Sequence, residues 1–147
     1  MNGHMGTIAK YKHSTNQEYK QTMTEATCQQ RIDEKLENLA ELMTEYMQYG
    51  DLYENGNDAY PPFHEYGLSF DFVESDTFDD QTEPYWRYQL SWGGPSDEIR
   101  FFAGRTEYWF LDWFDGAYRD ISSEQWARDL RQLFSEINEN FNSSLDN

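Results

Sequence analysis

The chain has 147 residues and a formal charge of −17, with 28 acidic side chains against 11 basic ones and aromatic rings at 18% of its positions. That length suits one domain built round a single core, and that charge disfavours nucleic acid, anionic membrane and acidic substrates while favouring basic surfaces. The single cysteine, Cys28, excludes an internal disulfide and a thiolate zinc cluster and points to a reducing cytoplasm.

Residues 1–21 are polar, weakly basic and without a sustained period, and are expected to form a flexible tail. No apolar run reaches membrane-spanning length, and the first thirty residues lack the core of a secretion signal. Thr22 and Glu25 have the spacing of a capping box, in which a hydroxyl and a carboxylate serve free N–H groups at a helix start. Cys28, Ile32, Leu36, Leu39, Met43, Tyr46 and Met47 then recur mostly every three or four residues up to Gly50, which predicts the first helix. At a hundred degrees or so per residue, Glu34, Glu37, Glu41 and Glu45 fall opposite that stripe as an acidic ridge with steps of about 5 to 6 Å. Like charges so spaced cost a helix a few tenths of a kcal/mol per pair, so stability by itself would favour lysine partners here.

Residues 51–66 read as a loop rich in Asn, Gly, Asp and Pro, with Pro61-Pro62 fixing an extended piece. Leu68, Phe70 and Phe72 alternate with Ser69, Asp71 and Val73, the period-two pattern of a strand, and residues 74–84 form an acidic connection. Trp86, Tyr88, Leu90 and Trp92 alternate with Arg87, Gln89 and Ser91, and Gly93-Gly94-Pro95-Ser96 reverses the chain. Ile99, Phe101 and Ala103 resume the alternation, Gly104-Arg105 breaks it again, and Tyr108 to Trp113 reads as a strand apolar on both sides apart from Asp112. Asp115-Gly116 is expected to turn the chain. Ser122 or Ser123 then caps a second helix striped by Trp126, Leu130, Leu133, Phe134, Ile137 and Phe141, and residues 143–147 are expected to fray. The elements assemble into one α+β domain over residues 22–142, in the order α-β-β-β-β-α: a four-stranded antiparallel sheet flanked by an N-terminal and a C-terminal helix.

Chemistry-bearing residues are few. Asp112 and Asp115 at a strand end form the best enzyme-like pair, able to hold a divalent ion or share acid–base work with Glu107 or Asp97-Glu98 nearby. Against that stand the ordinary use of Asp before Gly in a turn and a hydrogen-bonding role with an arginine. His64-Glu65 has no second cluster to complete a metal site, Gly93-Gly94-Pro95 precedes no helical pattern, and no nucleophile with a base, P-loop or dinucleotide fingerprint is present. No catalytic residue, metal or cofactor is therefore assigned. Arg87, Arg100, Arg105 and Arg119 are suited to pairing with Glu98, Asp112 or Asp115 on the polar side of the sheet.

The charge is segregated. No Lys or Arg stands between Lys35 and Arg87, a window holding Glu37, Glu41, Glu45, Asp51, Glu54, Asp58, Glu65, Asp71, Glu74, Asp76, Asp79, Asp80 and Glu83. A surface made acidic only for solubility intersperses both signs; omitting cations over so long a run points to a field that a basic nucleic-acid groove would accept in place of DNA. The candidate partner-binding residues are Glu34, Glu37, Glu41, Glu45, Asp51, Glu54, Asp58, Asp71, Glu74, Asp76, Asp79, Asp80 and Glu83. Tyr53, Tyr60, Phe63, Tyr66 and Phe78 stand among them, either as anchors of a protein contact or as cover for the edge of the core. An immunity protein neutralising a basic toxin, or a carboxylate-based metal-dependent enzyme, are the alternatives.

The segments YQLSWGGPSDEIRFF and EYWFLDWFDGA, about a fifth of the chain, resemble a motif pair of small accessory proteins of phages and conjugative elements. In size, acidity and lack of active-site motifs the chain is similar to anti-restriction and anti-CRISPR proteins, some of which imitate DNA. The resemblance implies stoichiometric inhibition of a nucleic-acid-handling defence enzyme or complex, and it carries over no individual site residue.

Overall fold

The computed structural model describes residues 27–48 and 66–146. The expected tail, the Thr22/Glu25 capping box, Asp51, Glu54, Asp58 and the rings Tyr53, Tyr60 and Phe63 lie outside the described residues. Within them the order is α1 (Cys28–Gln48), β1 (Ser69–Val73), β2 (Tyr85–Ser91), β3 (Ser96–Phe101), β4 (Thr106–Asp112), β5 (Asp115–Asp120), α2 (Gln125–Ile137) and α3 (Phe141–Leu145). The strands form one antiparallel sheet in the order β1-β2-β3-β4-β5, each pairing with its neighbour in sequence.

The sheet thus has five strands rather than four. Asp115-Gly116 does not turn the chain but opens β5, and the reversal is made by Trp113 and Phe114, closed by the cross-strand pair Asp112 and Asp115. The alternation of β5 is hard to see because its two sides carry Gly116, Tyr118 and Asp120 against Asp115, Ala117 and Arg119, so neither side is uniformly apolar. β3 stops at Phe101, before Ala103, and Trp92 and Trp113 project from the turns that follow β2 and β4 rather than lying within those strands. At the C-terminus the helix breaks after Ile137; Phe141 and Leu145, in α3, turn back and are buried, although residues from 143 onward were expected to fray.

Both long helices cover one side of the sheet. Ile32, Leu39 and Met43 of α1 and Trp126, Leu130 and Phe134 of α2 share a core cluster with Tyr88, Leu90, Ile99, Phe101, Tyr108, Phe110 and Ala117, which are alternate positions of β2 to β5. Rings hold this layer together: Phe70 stacks on Phe134 at 3.9 Å and on Trp86 at 5.0 Å, while the Trp86 indole donates to the Phe141 carbonyl at 3.1 Å. Stacked and edge-on pairs add to the apolar area that each ring removes from water.

α1 begins on a capping box made by Thr27 and Gln30. The Gln30 N–H donates to Thr27 Oγ1 at 3.2 Å, and the Thr27 N–H donates to Gln30 Oε1 at 2.8 Å. The helix then spans the sheet. Its first residue donates from Cys28 N to Asp115 Oδ2 at 2.8 Å, and Tyr46 near its end meets Tyr66, just before β1, with ring centroids 5.4 Å apart.

Candidate functional site

The acidic residues fall into two sets. Glu34, Glu37, Glu41 and Glu45 are exposed on the outer side of α1, and no ion pair joins them to a cation among the described residues. From Glu34 to Glu45 they run about 16 Å along the helix axis. Glu74, Asp76, Asp79, Asp80 and Glu83 lie on the β1–β2 connection, whose later part flanks the sheet surface that the helices leave uncovered. Asp71 also lies on that second surface, in the cross-strand row Asp71, Arg87, Arg100, Glu107 and Asp120. The α1 glutamates and Asp71, Asp79, Asp80 and Glu83 therefore belong to opposite sides of the sheet, and two of them are partnered by arginines. Asp71 accepts from Arg87 Nη2 at 2.7 Å, and Glu83 accepts from Arg105 Nη2 at 2.9 Å.

On the second surface, residues 78–83 and Arg100, Phe102, Arg105, Glu107, Trp109 and Tyr118 line a cleft of about 650 Å³. Trp109 stacks on Tyr118 at 4.6 Å, and the Arg100 guanidinium lies 3.8 Å from the Trp109 ring centre while Arg100 Nε donates to Glu98 at 2.7 Å. Arg105 donates to Glu107 as well as to Glu83. Burial works against its charge, but those two carboxylates outweigh it and hold the group protonated. Both guanidinium groups in the cleft are thus engaged by acids of the same chain. Phe78 stands at the rim, half exposed, whereas Tyr66 packs against Tyr46 and covers the edge of the core.

Asp112 and Asp115 come together across the β4–β5 turn, but each is occupied by the helix. Asp112 Oδ2 accepts from Arg31 Nη1 at 2.8 Å, and Asp115 accepts from Cys28 N through one oxygen and from Gly116 N through the other. They tie the start of α1 to the hairpin. Asp97 likewise accepts from the Tyr108 hydroxyl at 2.8 Å and from Ser91 Oγ. Among the described residues no group of three or more His, Cys, Asp or Glu side chains is placed to hold a metal ion, and no helix is long and apolar enough to cross a membrane.

Sequence reasoning missed the end of the sheet where the β2–β3 and β4–β5 turns meet. Trp113 is 87% exposed, Phe114 71% and Trp92 65%. The turns are neighbours: a Cβ on Gly94 would stand 3.6 Å from Trp113 Nε1 and 3.8 Å from Asp112 Oδ1. The available signal was the position of these rings beside turn residues, where an inward-facing strand position is least secure. The sequence and the fold match no family model, no curated protein and no solved structure, so the functional reading stands on the surfaces themselves.

Proposed function

We propose that the protein is a non-enzymatic inhibitor, produced by a mobile element, that lays the acidic ridge of α1 into the basic nucleic-acid groove of a bacterial defence nuclease or its surveillance complex, in the manner of DNA-mimicking anti-CRISPR and anti-restriction proteins. The observation that carries this reading is the line Glu34, Glu37, Glu41 and Glu45: four exposed carboxylates on one rigid helix with no cation among the described residues paired to them. Charge left uncompensated at a cost to the helix is available to a partner. The ridge offers one charge per about 5 Å of axis, sparser than the 1.7 Å or so of duplex DNA, so it supplies attraction and register rather than a full copy of the duplex. Asp71 and Glu83 contribute less to that field, since Arg87 and Arg105 neutralise them. The groove reading extends to bacterial cytoplasm as the place of action, where such complexes work.

The test uses purified restriction and CRISPR effector complexes in a binding panel with duplex DNA as competitor. Binding to the target weakens steeply between low and high salt and is displaced by DNA. Reversing Glu37, Glu41 and Glu45 to Lys together abolishes inhibition while the circular dichroism spectrum and melting temperature stay close to those of the unaltered chain. Inhibition that survives the triple reversal removes the reading.

A further inference from the structure

Trp113 and Trp92, at the paired hairpin turns, have a setting that burial in the core does not explain. Trp113 adopts φ 57, a left-handed conformation that suits glycine and that a bulky side chain occupies only at a cost. It does so at 87% exposure, so the indole gains almost no burial in return. Trp92, 65% exposed, projects from the neighbouring turn, and Phe114, 71% exposed, follows Trp113. A two-residue turn with a first residue at positive φ is ordinarily met by Gly, Asn or Asp, so the turn itself does not call for Trp at position 113.

The hairpin is also joined rigidly to the acidic ridge. Cys28 N to Asp115 at 2.8 Å and Arg31 to Asp112 at 2.8 Å fix the first turn of α1 against the β4–β5 turn, and Glu34 follows Arg31 by less than one helical turn. The exposed rings and the start of the ridge at Glu34 are therefore parts of one rigid body, from which the ridge runs on across the sheet with no ion pair to a cation among the described residues. Large rings flanked by charge are the arrangement in which a few aromatic anchors supply most of the binding energy and the charges supply steering.

We infer that Trp92 and Trp113, with Phe114 beside them, are the apolar anchor by which the chain docks on a cationic protein surface, the indoles entering a dry pocket at the rim of the basic groove that the α1 ridge addresses. The inference rests on the proposed function for the sign of the partner's charge. A protein is favoured over a lipid surface because the adjoining ridge and a formal charge of −17 repel anionic headgroups.

The test places the photo-crosslinker p-benzoyl-L-phenylalanine at position 92, 113 or, as control, 137 in the full chain, because Ile137, at the end of α2, is also exposed apolar surface at 56%. Cells that also produce the restriction and CRISPR complexes of the panel are irradiated. Positions 92 and 113 give a covalent adduct with the same basic protein, and position 137 does not. With that protein purified, Trp113→Gly speeds dissociation at least about tenfold and leaves the salt dependence unchanged, because a desolvated ring acts on the off-rate. The triple reversal of Glu37, Glu41 and Glu45 instead slows association and flattens the salt dependence. Trp113→Gly suits the turn's φ, so its melting temperature does not fall and lost binding cannot be lost folding. An adduct confined to a second copy of this chain, an adduct with lipid, or no adduct at either position overturns the inference. Binding that depends on the ridge but dissociates no faster in Trp113→Gly overturns the anchor and spares the proposed function. Binding that depends on Trp113 but ignores salt and DNA spares the anchor and overturns the proposed function.

Discussion

At Gly67 the main chain passes so close to Tyr88 that a Cβ would stand 2.4 Å from its ring and 2.8 Å from the Gln89 carbonyl, while Gly67 N donates to the Tyr88 hydroxyl at 2.6 Å. Neither neighbour can retreat: Tyr88 is fully buried and Gln89 lies in the ladder between β1 and β3. Gly67→Ala is therefore expected to cost about 2 to 3 kcal/mol through overpacking, read as a lower denaturation midpoint with an unchanged slope. Trp113 is the opposite case, a side chain standing where glycine would be easier. Because the left-handed conformation costs an L-residue about 1 to 2 kcal/mol, Trp113→Gly should hold or raise stability in the same assay, by up to about 1 kcal/mol once the glycine's greater freedom in the unfolded chain is deducted. A fall of that size would mean the indole makes a structural contribution that its exposure hides.

The elements show which signals a sequence carries and which it does not. α1 was legible because its apolar stripe repeats over 21 residues; its described start is capped by Thr27 with Gln30, and Thr22 and Glu25 lie outside the described residues. β2 and β3 alternate because one side meets the helices, and β4 stood out as an apolar run, Tyr108 and Phe110 facing the helices and Trp109 and Leu111 the other side. β5 does neither, since its inward residues include Asp115 and Arg119, which serve α1 through Cys28 and Asp33 instead of entering the core. The acidic ridge was legible from helical spacing alone, whereas the separation of the other acids to the opposite side depends on how the β1–β2 connection lies over the sheet, a tertiary fact. Arg131 of α2 was equally invisible. Its guanidinium donates to the carbonyls of Phe102 at 2.5 Å, Ala103 at 3.2 Å and Arg105 at 3.1 Å and to Thr106 Oγ1 at 3.2 Å, clamping the β3–β4 turn to the helix. Burial lowers its pKa, which is the expected direction for a cation whose partners are neutral dipoles. Arg131→Met keeps much of the stem but strips those acceptors of their donor, and a loss of about 2 kcal/mol or more is expected, with faster amide exchange in the β3–β4 turn than elsewhere in the sheet.

At the scale of the whole molecule, the phenols and the thiol in the core make stability depend on alkaline pH. Burial raises the pKa of Tyr88, and burial together with the charge of Asp97 raises that of Tyr108. Burial, then the charges of Asp115 and Asp112, push Cys28 up to about 11 from an ordinary 9.0. In each case the neutral, protonated form is the one the fold prefers. Once the chain unfolds, a thiol titrates near 9 and a phenol near 10, so between those values and the higher ones of the native state the native chain holds more protons than the unfolded chain. Stability must then fall as pH rises. The contribution is fully present below about pH 9 and is lost progressively through the window above it, Cys28 first and the tyrosines after it. Melting measured from pH 7 to 11 should show a plateau followed by a steepening decline, with the absorbance of Tyr88 and Tyr108 ionisation appearing at the unfolding transition rather than before it. Replacing Cys28 by Ala should flatten the first part of the decline and leave the later part, since the tyrosines are untouched. An unchanged curve between pH 9 and 10 in that variant would show that the thiol is not held in the protonated form by the packing of α1 against the hairpin, and would weaken the rigid joint on which the placement of ridge and rings depends.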